Sequence, residues 1–489
     1  MKLILTIDQG TTSTKIHLVN QQAELIHTIR KPLKLITPKD GWVEQDPAEI
    51  LNSVVTALKQ AYAHAQKLSA EILSIALTNQ RETTLIWHKE TGQAIYNAIS
   101  WQDSRTGAEI AQLSALKKKY ITKITGLIPS PYFSASKIKW LITNKLANKN
   151  LEDYAIGTID SYLIYHLTGK KIHATDTSNA SRTMLFDLKK LCFDPKLLKM
   201  FHVKPAMLAE IKDSMDDYGT ICPTILAANI PINAVIGDQQ AATIGHCCFN
   251  QAEGKATFGT GCFIMVNTGK KIVKSKAKLL ATILYSDKKQ AYYALEGSIF
   301  YAGSALNWAK DNLKLCSNFT DAEQEIAELT DNGGVYLVPA LSGLGAPYWQ
   351  DKARGLIIGL NYNTNKTHLL RASFESVAYQ TYDLIEAIKK DGFMLENLNI
   401  DGGVAANNWF NQFLSDILAK DVIKPSSLEL TTKGAAYLAG LKIGFFKSFA
   451  ELKSLHKLHK KYQQRKISAK TRKNYISGWK TAINLCMKA

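Results

Sequence analysis

The chain has few cysteines for its length: seven in 489 residues, with no CxxC pair, and the nearest two, Cys247 and Cys248, are adjacent. No zinc-ligand spacing and no H-E-x-x-H motif occurs, which argues against a structural or catalytic transition metal. An odd, unpatterned set of thiols in a large chain reads as reduced and mostly buried, and predicts a cytoplasmic protein. No apolar run approaches the ~20 residues of a membrane-spanning helix, so stable membrane insertion is not expected. The first apolar run is cut at Asp8, too short for a secretory signal. The P-loop pattern G-x-x-x-x-G-K-[ST] is absent as well. Acids are scarce at one end. Residues 442–489 hold thirteen Lys and Arg against Glu451 alone, so +12 of the net +18 lies there, densest around Lys460, Lys461, Arg465 and Lys466. Aromatics do not alternate with these charges as on a single-strand nucleic-acid platform. Ile476, Trp479, Ile483 and Met487 instead recur at helical spacing, so the tail reads as a packed helix with a solvated basic face and no nucleic-acid partner.

Apolar content of 46% and charged content of 21% are ordinary for a soluble globular protein. At about 150 residues per domain the length predicts two to three domains. The stretch "TIDQGTTSTKIHLV" (6–19) places an acid, a glycine and four hydroxyls between two β-type runs. Such a turn presents successive N–H and O–H groups to an anion, and two facing turns can clamp a triphosphate without a P-loop lysine. Asp8, ending the first run, is then placed to hold a cation that bridges phosphate oxygens. The pattern returns in "KATFGTGCFIMVNTG" (255–269), and "LNIDGGVAANNWFNQFLSDIL" (398–418) reads as strand, Gly-Gly turn and helix. Between them the spacing predicts a helix over 46–68 capped by Asp46, a buried strand at 72–77, a hairpin over 84–101, helices at 106–119 and 135–147, and a strand then a helix over 154–169. The chain reads as two similar α/β lobes facing across a cleft.

Other segments carry polar groups at element ends. Asp238 follows an apolar strand and opens a helix, as a cap or as a general base for a hydroxyl. Arg81 and Glu82 lie just past a strand, as a surface ion pair or as donor and acceptor for a polyol.

In this order the segments resemble the FGGY carbohydrate kinases of the actin and hexokinase superfamily, in particular those that phosphorylate glycerol. The resemblance spans about residues 3–480. It is carried by "DQGTTS", "NQRETTLIWHKETGQAIYNAISWQDSRT", "GTIDSYLIYHLTG", "SNASRTML", "GDQQAA", "FGTGCF", "ALEGSIF", "VPALSGLGAPYW", "ARGLIIGL" and "DGGVAANN". It implies two actin/hexokinase-like (ribonuclease H-like) lobes, residues 1–245 and 246–489, with an interlobe cleft. It implies Mg²⁺-dependent transfer from ATP to glycerol, giving sn-glycerol 3-phosphate for glycerol catabolism, in a homodimer or homotetramer. By motif, Thr11, Thr12, Ser13 and Lys15 match the first phosphate turn, and Asp8 and Asp238 the metal site. Arg81, Glu82, Trp101, Tyr132, Asp238, Gln239 and Phe263 match the glycerol pocket, with Asp238 as general base. Thr260 and Gly261 match the second phosphate turn, and Gly303, Asn307, Gly403 and Asn407 the nucleotide side of the second lobe. A kinase of another polyol on the same fold, and an inactive relative that binds nucleic acid, are the rival readings. The run 79–106 argues against the first, and the intact Asp8, Asp238 and turns against the second.

Three positions depart from the family pattern. Lys15 stands where Arg is frequent, which keeps the charge but loses the bidentate fork. Asn307 stands where Gln is frequent. The stretch "TILAANIPINAVI" (224–236) has no glycine run, no cation and no histidine. The sugar-bisphosphate inhibition and histidine phosphorylation of some relatives are therefore not expected.

Overall fold

The computed structural model describes residues 1–427, 429–464 and 467–488. Strand Lys2–Gln9 hides Leu3, Ile4, Leu5 and Ile7 completely, because it runs through the middle of a five-stranded sheet covered on both faces. Its neighbours Ser13–Val19 and Leu25–Pro32 continue it as an antiparallel meander. Glu71–Asn79 and Ile232–Gly237 extend the other side in parallel. Helix Pro47–Lys67 packs on this sheet through Ile50, Val54, Leu58 and Ala61, and begins where the Asp46 carboxylate accepts the Ala48 N–H at 2.8 Å.

The arrangement occurs twice. Gly254–Phe258, Cys262–Gly269 and Gln290–Ile299 form an antiparallel meander. Asn397–Asp401 pairs parallel to its first strand and Asp421–Pro425 follows in parallel. Edge strands Leu280–Asp287 and Leu458–Tyr462 complete seven. The repeat read from the two glycine-threonine turns is therefore a repeat of topology. Helix Leu430–Lys442, late in the chain, returns to the first sheet and crosses helix Asp238–Gly245 at very short range. A Cβ on Gly434 would lie 1.8 Å from the Ala241 carbonyl oxygen, so glycine is what permits the crossing.

Two expectations need correction. The helix over 106–119 is two helices, Gly107–Ala111 and Ala115–Thr125. Ser114 is extended and caps the second by accepting the Lys117 N–H, because a serine hydroxyl competes well at a helix start and poorly inside one. The hairpin over 84–101 forms at its turn, where Trp87 bridges Ala94 and the Ile95 N–H donates to the Ile86 carbonyl at 3.0 Å, but its return strand, Ala98–Ile99, is two residues long and meets Thr84–His88 at one pair. The full-length partner of Thr84–His88 is Tyr154–Thr158.

The basic tail packs as read. In helix Ala469–Lys488, Tyr475, Ile476, Trp479, Ile483 and Cys486 are buried against the second lobe, with Met487 partly so. Lys461 pairs with Asp421 at 2.7 Å. Arg465 and Lys466 lie outside the described residues. Among the described residues no helix is long and apolar enough to cross a membrane.

Candidate active site

Strand Glu71–Asn79 ends at the edge of the first sheet, and the chain turns inward through Gln80–Thr83. Glu82 sits at φ 60°, a left-handed conformation that costs a side-chain-bearing residue about 1–3 kcal/mol and concentrates at functional sites. Arg81 and Glu82 are 3% and 1% exposed, which dismisses a surface ion pair. They belong to a buried chain of alternating charge. The Arg182 Nε–H donates to Glu82 at 2.6 Å and its Nη2–H to Glu296 at 2.8 Å. The Arg81 Nη1–H donates to Glu296 at 2.5 Å, and its Nε lies 3.3 Å from Asp238. Burial works to raise the Glu296 carboxyl, but Arg182 and Arg81 outweigh it and hold it down at about 2. Burial wins at Glu82, which is raised despite Arg182 and Arg81. Asp238 is also raised by burial against the pull of Arg81, which moves it toward the range of a useful base.

Aromatic rings wall this polar floor. Trp101 meets Tyr132 and Phe263 edge-on, at 5.8 and 6.0 Å between centroids, and the Arg81 guanidinium lies 5.9 Å from the Phe263 ring. These three rings, with Thr260 and Gly261 of the second turn, line an interlobe cleft of about 770 Å³. Arg81, Glu82, Asp238 and Gln239 are not among the residues that line this cleft; the Arg81 guanidinium approaches its wall at Phe263.

The first turn closes with the Gly10 N–H donating to Ser13 at 3.0 Å. Its side chains differ in their partners within the protein. Thr11 is engaged by the protein. Its hydroxyl accepts the Trp101 indole N–H at 2.9 Å and donates to Gln80 at 3.3 Å. Gln80 also accepts from Thr83, and Thr83 accepts the Trp101 backbone N–H, which closes a ring. The Thr12 and Ser13 hydroxyls have no partner among the described residues. Lys15 makes two bonds to Glu429, at 2.7 and 2.8 Å. Asp8, opposite Lys15 in the hairpin, has no donor bonded to it among the described residues. Burial raises its carboxyl to about 7, with Lys15 opposing and Asp238 and Glu429 adding. Among the described residues no three acids, histidines or cysteines cluster as a metal site, so Asp8 and Asp238 are the two carboxylates available to a hard cation here.

On the second lobe, Thr260, Gly303, Asn307, Gly403 and Asn407 converge on one pocket of about 360 Å³, closed by Leu306, Phe319 and Phe374. Gly402, at φ 89°, turns the chain so tightly that a Cβ there would lie 2.4 Å from the Phe258 carbonyl oxygen. Thr260 lines both the pocket and the cleft, so the two spaces adjoin at the second turn.

Arg182, Glu296, Gln80 and Glu429 were not singled out by the sequence. A lone acid within the apolar strand "YYALEGSI" was the available sign for Glu296.

Comparison with known proteins identifies the family and the fold. The N-terminal domain of the FGGY family of carbohydrate kinases matches residues 3–245, and its C-terminal domain residues 254–443. A glycerol kinase of Coxiella burnetii is 44% identical over 98% of this chain and 97% of its own length. Glycerol kinase 2 of Thermotoga maritima is 42% identical over 99% and 98%. Among solved structures, Plasmodium falciparum glycerol kinase with ADP superposes with a TM-score of 0.93 at 37% identity, covering 99% of this chain and 98% of that one. A xylulose kinase of Lactobacillus acidophilus shares the fold at a TM-score of 0.88 and 22% identity, with 99% and 98% covered. With both domain models matched and full-length relatives of this kind, the chain belongs to the FGGY family of carbohydrate kinases.

Proposed function

We infer that the chain transfers the γ-phosphoryl group of ATP to glycerol, giving sn-glycerol 3-phosphate and ADP, as a cytoplasmic, Mg²⁺-dependent enzyme of glycerol breakdown. The observation that carries this reading is the Arg81–Asp238 contact at 3.3 Å beneath the Trp101–Tyr132–Phe263 walls, beside both phosphate turns. Arg81 and Gln239 donate to the polyol's hydroxyls, and Glu82 and Asp238 accept from them. The rings cover its carbon atoms. Asp238 takes the proton of the attacking hydroxyl, and Arg81 keeps the carboxylate turned toward it. Thr12 and Ser13 donate to phosphate oxygens from the first lobe, and Thr260 and Gly261 from the second. Gly303, Asn307, Gly403 and Asn407 hold the nucleoside. Asp8 and Asp238 would hold Mg²⁺, which neutralises charge on the phosphates when bound. Closure of the lobes excludes water and so limits ATP hydrolysis. We place the lobe boundary at 245/246; one core drawn from Leu3–Val235 and another from Ala256–Cys486 support it, while a further core joins Ile4 and Ala76 to Ala435 and Leu438 of helix Leu430–Lys442.

The test is ADP release on a substrate panel. A site built to bond hydroxyls rejects an analogue lacking one, by up to about 10⁴-fold, because its own groups are left unpaired. Glycerol is expected to outrun 1,2-propanediol by at least about 10²-fold on that ground. Comparable rates, or preference for a ketopentose, would overturn the assignment.

A further inference from the structure

Lys255 is fully buried on strand Gly254–Phe258 and forms no ion pair among the described residues. Its ammonium donates to Gln239 Oε1 at 2.5 Å, to Thr257 Oγ1 at 2.7 Å and to the Phe263 carbonyl at 3.5 Å. Burial lowers the Lys255 pKa, with Asp401, Asp238 and Glu296 opposing at longer range, and the three direct acceptors of its ammonium include one residue of the polyol pocket and the backbone of another. An ammonium has donors and no acceptor. The amide atom of Gln239 that faces Lys255 is therefore the carbonyl oxygen, and the amide N–H₂ is left over. Among the described residues that N–H₂ has no partner, and Gln239 directly follows Asp238. The strand belongs to the second sheet and Gln239 to the helix after the last strand of the first, so the contact joins the lobes.

We propose that Lys255 is a positioning residue that locks the Gln239 amide so that the polyol pocket meets an N–H donor there, and thereby selects a substrate hydroxyl with free lone pairs. The proposal rests on the glycerol-kinase reading above.

The experiment measures KM for glycerol and for ATP in the full chain and in Lys255→Met, Gln239→Ala and the double variant. Loss of one oriented hydrogen bond is expected to raise the glycerol KM roughly tenfold in Lys255→Met, with the ATP KM within about twofold. If Lys255 acts through Gln239, the double variant is no worse for glycerol than Gln239→Ala alone. A purely structural role would change both KM values alike, or add to the effect of Gln239→Ala, and either result overturns the proposal. Should Lys255→Met fail to fold, Gln239→Glu decides. It keeps the Lys255 contact as an ion pair but leaves an acceptor where the donor was. It is expected to melt no lower than the unsubstituted chain, with the glycerol KM raised about tenfold or more. An unchanged glycerol KM in that variant refutes the proposal. Absence of glycerol-dependent ADP release from the unsubstituted chain is a separate result, which sinks the activity and the proposal with it.

Discussion

At the residue scale, the charges of the site were legible where they are neighbours in sequence and hidden where they are not. Arg81 and Glu82 stand side by side in one motif, and Asp238 opens a helix. Glu296 and Arg182 complete the same array from 215 and 100 positions away from Arg81 and Glu82 respectively, so no local pattern marks them. Asp238→Asn keeps the shape and removes the base. Turnover is expected to fall about 10²–10⁴-fold with the glycerol KM little changed, checked by steady-state kinetics beside a melting curve. Glu296→Gln leaves two arginines buried without their shared anion, which costs about 3–5 kcal/mol when such a pair is broken. The sign with pH follows from the depressed folded value. The carboxyl titrates near 2 folded against 4.5 in the free side chain, so its contribution is complete above 4.5 and is lost as pH falls through 2. Urea unfolding is expected to show a constant gap between the two proteins from pH 5 to 8 and a shrinking gap below pH 4. A gap that widens in acid would contradict this.

At the element scale, hairpins and caps follow from short-range rules. Alternating apolar runs around a glycine turn form the two hairpins, and Asp46 starts its helix. The run 106–119 failed as a single helix because Ser114 satisfies a helix start better than a helix interior. The ring through Thr11, Gln80, Thr83 and Trp101 was beyond such rules, since it joins a turn, a strand end and a loop. Thr11→Val removes a donor and an acceptor together and strands a Trp N–H. The unpaired group costs about 1–3 kcal/mol, or roughly tenfold or more in function if it is felt at the site. Because the ring links the phosphate turn to the Trp101 wall, the KM values of both ATP and glycerol are expected to rise. Thr11→Ser is expected to restore both. A change in one alone would show that the turn and the wall act independently.

At the scale of the whole molecule, the basic tail is part of the second core. Trp479 is fully buried, stacks on Tyr379 at 5.4 Å and donates its indole N–H to Asp383 at 2.6 Å. Trp479→Ala is expected to cost about 3–5 kcal/mol. Thermal unfolding should shift down, while the KM values of the protein that remains folded stay within twofold. An unshifted melting curve would mean the helix is an appendage. The sequence by itself determined the family, the fold class and the two hairpins with their glycine turns, because each is written in contiguous motifs whose backbone preferences are local. The tertiary structure decided which groups are spent holding the site and which are free for a ligand. It tied Thr11 to Trp101 and Gln80, Lys15 to Glu429, and Gln239 to Lys255, and it left Asp8 and the Thr12 and Ser13 hydroxyls without partners among the described residues. The reason is physical: a buried polar group must find a partner in space, and chains that approach from distant parts of the sequence supply it.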